Sequence, residues 1–169
     1  AHAREIFQLI DDEYQHLYGV VPLTPRQVEG YIQAYLGFMN PAFIPLVFDE
    51  QHQLVAFGIN LPSLSRGLQK SHGDLFPFGF IHLLNALRQN ERLDLYLVAV
   101  KSEYQGKGVN ALLIDALSRV IIARGFKKIE TNPELESNAA VQTQWKYFER
   151  RQHKRRRCYI KSLSAAAKP

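Results

Sequence analysis

LDLYLVAVKSEYQGKGVNALLIDALSRVIIARG, residues 93–125, decides how this chain is read. Leu93 to Val100 is rich in branched apolar residues, the pattern of a buried strand. Gln105-Gly106-Lys107-Gly108-Val109-Asn110-Ala111 follows closely. From Val109, apolar residues recur at Leu112, Leu113, Ala116, Leu117, Val120 and Ile121, the spacing of one helical face, and Gly125 is placed to end the helix. The glycine turn therefore opens a helix. There the unpaired N–H groups and the positive end of the macrodipole favour an anion, and glycines let a ligand approach the backbone. The P-loop needs a longer glycine spacing closed by Gly-Lys-Ser/Thr, and the dinucleotide fingerprint needs three glycines with a later acidic residue. Neither fits this turn.

The segment resembles the acetyl-CoA loop of the GNAT superfamily of N-acetyltransferases, written Gln/Arg-x-x-Gly-x-Gly/Ala after a strand ending in Val-x-Val. Here that reads Val98-Ala99-Val100, then Gln105-Gly106-Lys107-Gly108-Val109-Asn110. Asn110 stands where Gly or Ala is usual, which narrows the space beside a diphosphate and adds a side chain able to bond to it. The resemblance implies that Val98, Ala99, Val100, Gln105, Gly106, Lys107, Gly108, Val109, Asn110 and Ala111 line the site of acetyl-CoA or another acyl-CoA, used as cosubstrate. It also implies an α/β fold whose mixed, mostly antiparallel central sheet is flanked by helices.

The rest of the chain follows that order. Glu5 to Tyr18 is periodic at Ile6, Leu9, Ile10, Tyr14 and Leu17, and Thr24-Pro25-Arg26-Gln27 starts a second helix running to about Phe38 with a capping box. Phe43 to Phe48 and Gln53 to Leu61 read as strands joined by a polar turn at 49–52. After the glycine loop and its helix come a strand at Lys128 to Asn132, Asn138 as the cap of a helix from Ala139 to about Phe148, and a last strand at Cys158 to Leu163. In the resemblance, Asn132 and Asn138 belong to the second half of the cofactor site, where two strands splay and pantetheine lies between them. Asn138 reads equally as a plain helix cap.

The family's usual first strand is missing. The chain is expected to be a single domain over 1–163 with a flexible tail at 164–169, the C-terminal part of a longer protein. Residues 62–92 form an insertion with a helix from Ile81 to Asn90. Phe76, Phe78 and Phe80 within it either line the acceptor pocket or pin the loop to the core, and a membrane-lying helix is a weaker third reading.

If the resemblance holds, the chemistry is acyl transfer from a thioester to an amine by direct attack in a ternary complex. A carboxylate or ordered water takes the amine's proton. Asp94 stands six residues before the strand's final Val, where the family often has Glu, so it is the candidate base; its other reading is a surface Asp paired with Arg92 or Lys101. A backbone N–H near Val100 would stabilise the oxyanion. The family's usual acid, a Tyr seven residues after the helix-capping Asn, is replaced by Trp145. Tyr147 lies two residues on, roughly 200° around a helix. Tyr96 shares the strand face of Asp94 and Val98 by alternation and is the other possible donor, with solvent as a third. A noncatalytic acyl-CoA-binding or regulatory module is the competing reading.

Composition bounds these readings. The chain has 169 residues, 46% of them hydrophobic, enough for a proper core. No run of about eighteen apolar residues and no signal-peptide pattern occurs, so no membrane span and a cytoplasmic location are expected. Cys158 is the only cysteine and the six histidines show no metal spacing, so no metal is expected. Residues 150–169 hold eight basic groups and no acid, leaving 13 basic against 16 acidic elsewhere, so the net +5 arises wholly at the C-terminal end. The run at 150–157 is either a solvated basic face or a contact for a polyanion, including the phosphates of CoA. The acceptor amine, the acyl chain and the oligomeric state are not written in the sequence.

Overall fold

The computed structural model describes residues 2–37 and 39–161. It forms two compact units, one ending at Asn132 and one starting at Pro133.

The first unit is built on a four-stranded sheet of β1 (Leu46–Phe48), β2 (Leu54–Pro62), β3 (Arg92–Val100) and β4 (Lys128–Thr131), in that spatial order. β1, β2 and β3 pair antiparallel, and β3 pairs with β4 in parallel. This is the mixed, mostly antiparallel sheet expected. Its first strand is shorter than expected because Pro45 interrupts the run. Asn40 caps a 3-10 turn at Pro41–Phe43 by accepting from the Ala42 N–H at 3.0 Å, and pairing begins only at Leu46.

One extra residue in β3 organises the molecule. Ile59 pairs with Leu97 but its neighbour Asn60 pairs with Leu95, so Tyr96 is a bulge. The bulge inverts the side-chain alternation beyond it. Leu93 and Leu95 therefore face one layer, where Phe43, Leu117 and Ile121 are buried, while Ala99 faces the other with Ile6, Leu9, Leu54 and Phe57. Helix α1 (Ala3–Tyr14) covers the second of these faces and helix α5 (Val109–Ala123) the first. The expectation that Asp94, Tyr96 and Val98 share a face fails for this reason. Asp94 pairs with Leu61 on the α1 face, and Val98 pairs with Gly58 on the α5 face.

α1 stops at Tyr14, four residues short of expectation. Helix α2 (Pro25–Tyr31) has the expected capping box but continues as a π-helix, Ile32–Leu36, rather than as α-helix; Phe38 lies outside the described residues. The insertion forms α3 (Ser65–Lys70) and α4 (Gly79–Arg88), which pack so closely that a Cβ on Gly67 would stand 2.9 Å from the His82 carbonyl oxygen. Its aromatics do not pin it to the core: Phe76 and Phe78 are 83% and 69% exposed, and Phe80 is exposed too.

In the second unit Asn138 caps α6 (Ala139–Thr143), which tightens into a 3-10 turn at Gln144–Tyr147 instead of running as one α-helix to Phe148. The expected last strand is not formed. Cys158 to Lys161 have no regular structure, and Ser162 and Leu163 lie outside the described residues. Tyr159 and Ile160 are more than 80% exposed, so no sheet among the described residues buries them. Among the described residues no helix is long and apolar enough to cross a membrane.

Candidate functional site

β3 and β4 stay paired only from Arg92–Lys128 to Leu95–Thr131. One further bond joins them, from the Asn132 N–H to the Leu95 carbonyl at 3.1 Å. Beyond it β3 runs on to Val100, and among the described residues no strand pairs with it on that side. Side chains fill in for the missing strand. Asn132 Nδ2 donates to the Tyr96 carbonyl at 3.2 Å. The Tyr14 hydroxyl donates to the Val98 carbonyl at 2.6 Å and accepts from the Val98 N–H at 3.3 Å. Gln105 Nε2 donates to the Val100 carbonyl at 2.9 Å. By the alternation of an antiparallel ladder, the Val100 N–H points to the same vacated edge.

At the end of β3 the chain makes a 3-10 turn, Ser102–Tyr104, and then the glycine loop. Gly106 and Gly108 have φ of +73° and +84°, a region that L-side chains rarely enter, and a Cβ on either would meet nothing within 4 Å. Lys107 N–H bonds back to Tyr104 at 3.4 Å, and Ala111 N–H to Gly108 at 3.0 Å. The N–H groups of Gly106, Gly108 and Val109 have no acceptor among the described residues. They crown a 15-residue helix with no acidic residue in its first turn, so nothing in the helix competes with an incoming anion. Lys107, exposed, has its ammonium 5.7 Å from the centre of the Tyr104 ring.

The loop is braced by a residue the sequence did not single out. Glu13, at the end of α1, accepts from the Ser102 N–H at 2.9 Å, the Ser102 hydroxyl at 2.7 Å and Gln105 Nε2 at 3.4 Å. Tyr104 adds a hydroxyl bond to Asp49 at 3.3 Å. Gln105 is thus a brace too, its amide engaged by the protein rather than offered to a ligand. The helical spacing of α1 marks Tyr14 only as one apolar position. The available signal was that a buried tyrosine needs a partner for its hydroxyl.

The candidate catalytic groups are unequal. Asp94 is half-buried on the α1 face, with Oδ1 shielded from solvent, and it pairs across the sheet with Glu130. The Arg92 guanidinium, on the same strand, bonds Glu130 at 2.9 Å. Tyr96, at the bulge, has its phenol pKa pushed above the ordinary value by burial and then by the Asp94 charge. Tyr147, in the other unit, is 82% exposed with the Lys146 ammonium 4.7 Å from its ring centre. Trp145 engages its Nε1–H with Glu134 at 2.8 Å. Asn138 acts as a cap, its Oδ1 accepting from the Val141 N–H at 3.3 Å.

Comparison with known proteins agrees with this fold. Protein YghO of Escherichia coli (strain K12) is 28% identical over 166 residues, 95% of this chain but 42% of YghO, so the chain spans less than half the length of that relative. The crystal structure of a probable acetyltransferase superposes with a TM-score of 0.59 at 16% identity, covering 97% of this chain and 93% of the other. A putative acetyl transferase from Pyrococcus furiosus gives 0.57 at 14% identity, covering 92% and 93%. The profile of the acetyltransferase (GNAT) family matches residues 4–153, and on that match the chain belongs to the GNAT acetyltransferase family.

Proposed function

We propose that this chain moves an acetyl or other acyl group from acyl-CoA to an amine by direct attack in a ternary complex. The observation that carries the reading is the trio of acceptor-free amides at Gly106, Gly108 and Val109, held at a helix N-terminus beside a splayed strand edge. A diphosphate fits that cradle, with Lys107, Asn110 and Ala111 at its rim. Pantetheine then extends along Val98, Ala99 and Val100 toward Asn132, where the strands part. The Val100 N–H faces the same edge and serves as a main-chain donor to the thioester. Asp94, through water, takes the proton that the attacking ammonium must lose, and solvent protonates the departing thiolate.

Thermal unfolding with and without acetyl-CoA tests the donor. Saturation at about 100 times Kd adds about 2.7 kcal/mol of stability. Release of free CoA across a panel of amines then tests transfer, with Asp94→Asn expected to lower turnover and leave acetyl-CoA binding in place. One observation favours the noncatalytic alternative, an acyl-CoA-binding or regulatory module contacting a polyanion through 150–157: the position of the family's usual acid is a tryptophan already bonded to Glu134. Binding of acetyl-CoA with no amine-dependent CoA release would select that reading.

A further inference from the structure

We propose that the Tyr14 hydroxyl is a catalytic hydrogen-bond donor that meets the thioester carbonyl at the vacated edge of β3 and stabilises the charge developing on its oxygen. The proposal rests on the acyl-transfer reading above.

Position comes first. Past Leu95 no strand among the described residues pairs with β3 on the β4 side, yet both main-chain groups of Val98 point to that side and both are met by the one phenol oxygen, at 2.6 and 3.3 Å. An acyl group lying along this edge reaches Tyr14 where it reaches Val98. The hydroxyl has one proton and two lone pairs, so it can keep accepting from the Val98 N–H while its own hydrogen turns from the Val98 carbonyl to an incoming oxygen. That exchange needs rotation about one C–O bond and no movement of the ring, which α1 packs against the sheet. Donation from the Val98 N–H also polarises the O–H bond, strengthening it as a donor.

Protonation decides which role the phenol takes. Burial raises the Tyr14 pKa above its ordinary value, against the smaller opposing effect of its Val98 bond. The group therefore keeps its proton at neutral pH, and it is a weaker acid than a thiol of pKa about 8.5. It suits stabilisation of an oxyanion and not protonation of a thiolate. In the step, the amine nitrogen bonds the carbonyl carbon and the C=O pair moves onto oxygen, beneath the Tyr14 hydrogen. Collapse restores C=O and sends the C–S pair to sulfur. The amine proton leaves through water to Asp94, the thiolate takes one from solvent, and Tyr14 ends with the proton it began with.

The test is the infrared carbonyl stretch of bound acetyl-CoA labelled with ¹³C at the thioester carbon, in wild type and Tyr14→Phe. The expected result is a lower frequency in wild type, accompanied in turnover by a kcat loss of roughly 10²- to 10³-fold on removing one oxyanion donor. KM for acetyl-CoA should change by less than about threefold, roughly 0.65 kcal/mol. Equal frequencies, or tighter acetyl-CoA binding with undiminished kcat, would show that Tyr14 only covers the edge until CoA displaces it, and would overturn the proposal. If Tyr14→Phe does not fold, 3-fluorotyrosine at position 14 keeps the hydroxyl and strengthens its donation: a further fall in frequency supports the role and an unchanged frequency refutes it. Wild type that does not bind acetyl-CoA at all sinks the acyl-transfer reading and this one together. Binding with an unmoved carbonyl sinks only this one.

Discussion

Two stretches of this chain are proposed to meet an anion, and they are built on opposite principles. The loop from Gln105 to Val109 offers backbone amides fixed by two glycines of positive φ and by the Glu13 brace. The run from Arg150 to Arg157 offers side-chain charge on a segment without regular structure, held at the described contacts by Arg155 to Glu136 at 2.8 Å and by Arg150 to the Gln142 carbonyl at 3.0 Å. A fixed amide cradle selects by shape and needs few charges. A loose cationic run selects by charge density and yields to salt.

The largest effect should come from Gly108→Val. A β-branched residue at φ +84° is strained by about 1–2 kcal/mol, and its side chain enters the open space above the cradle. Acetyl-CoA affinity by calorimetry should fall by about a hundredfold, corresponding to about 2.8 kcal/mol. An unchanged Kd would remove the loop from the binding site. Glu13→Ala comes next. It leaves every amide of the cradle intact but frees Ser102 and Gln105, so Kd should weaken by about tenfold while the unfolding free energy drops by about 1 kcal/mol. A variant that loses stability and not affinity would mean the loop holds its shape without the brace.

Paired substitution of Arg155 and Arg157 by Ser tests the other side of the comparison. Acetyl-CoA affinity should change by less than about twofold. Any retention on a polyanion such as heparin should weaken, with the slope of log K against log salt reduced by up to about two, one per cation. A large loss of acetyl-CoA affinity would instead make the basic run part of the cofactor site.

How much of this was legible follows from the range of the interactions involved. The strand, glycine loop and helix at 93–125 are set by local pattern, and the structure keeps all three. The capping box at Thr24 and Gln27 was legible for the same reason. The bulge at Tyr96 was not, because it is a matter of register with β2 and leaves no mark on the alternation of β3 read alone. Glu13 and Tyr14 lie 84 to 92 residues from the groups they hold. No local pattern announces such pairs, so the two residues that hold the loop and the β3 edge from α1 were invisible as such. The last strand is absent over its described residues for the converse reason: Cys158 to Lys161 has β-propensity, but propensity without a partner edge does not make a strand.

The smallest effect expected is also the one that isolates Tyr14 from the rest of the sheet. Its phenol pKa is raised in the folded chain, so the folded state holds the proton at pH values where the unfolded chain, near pKa 10, has begun to release it. The unfolded state then binds fewer protons, and stability falls with rising pH. Below about pH 9 both states are protonated and the contribution is constant. From about pH 10 upward through the raised folded pKa, stability should decline, and the decline should be shallower in Tyr14→Phe than in wild type. Tyr96 and Tyr104 have raised values as well and remain in the variant, so some slope persists. Denaturant unfolding between pH 8 and 11 measures the difference. Parallel curves for the two proteins would mean that the Tyr14 hydroxyl ionises in the folded chain as freely as in water, which a phenol held against both main-chain groups of Val98 should not do.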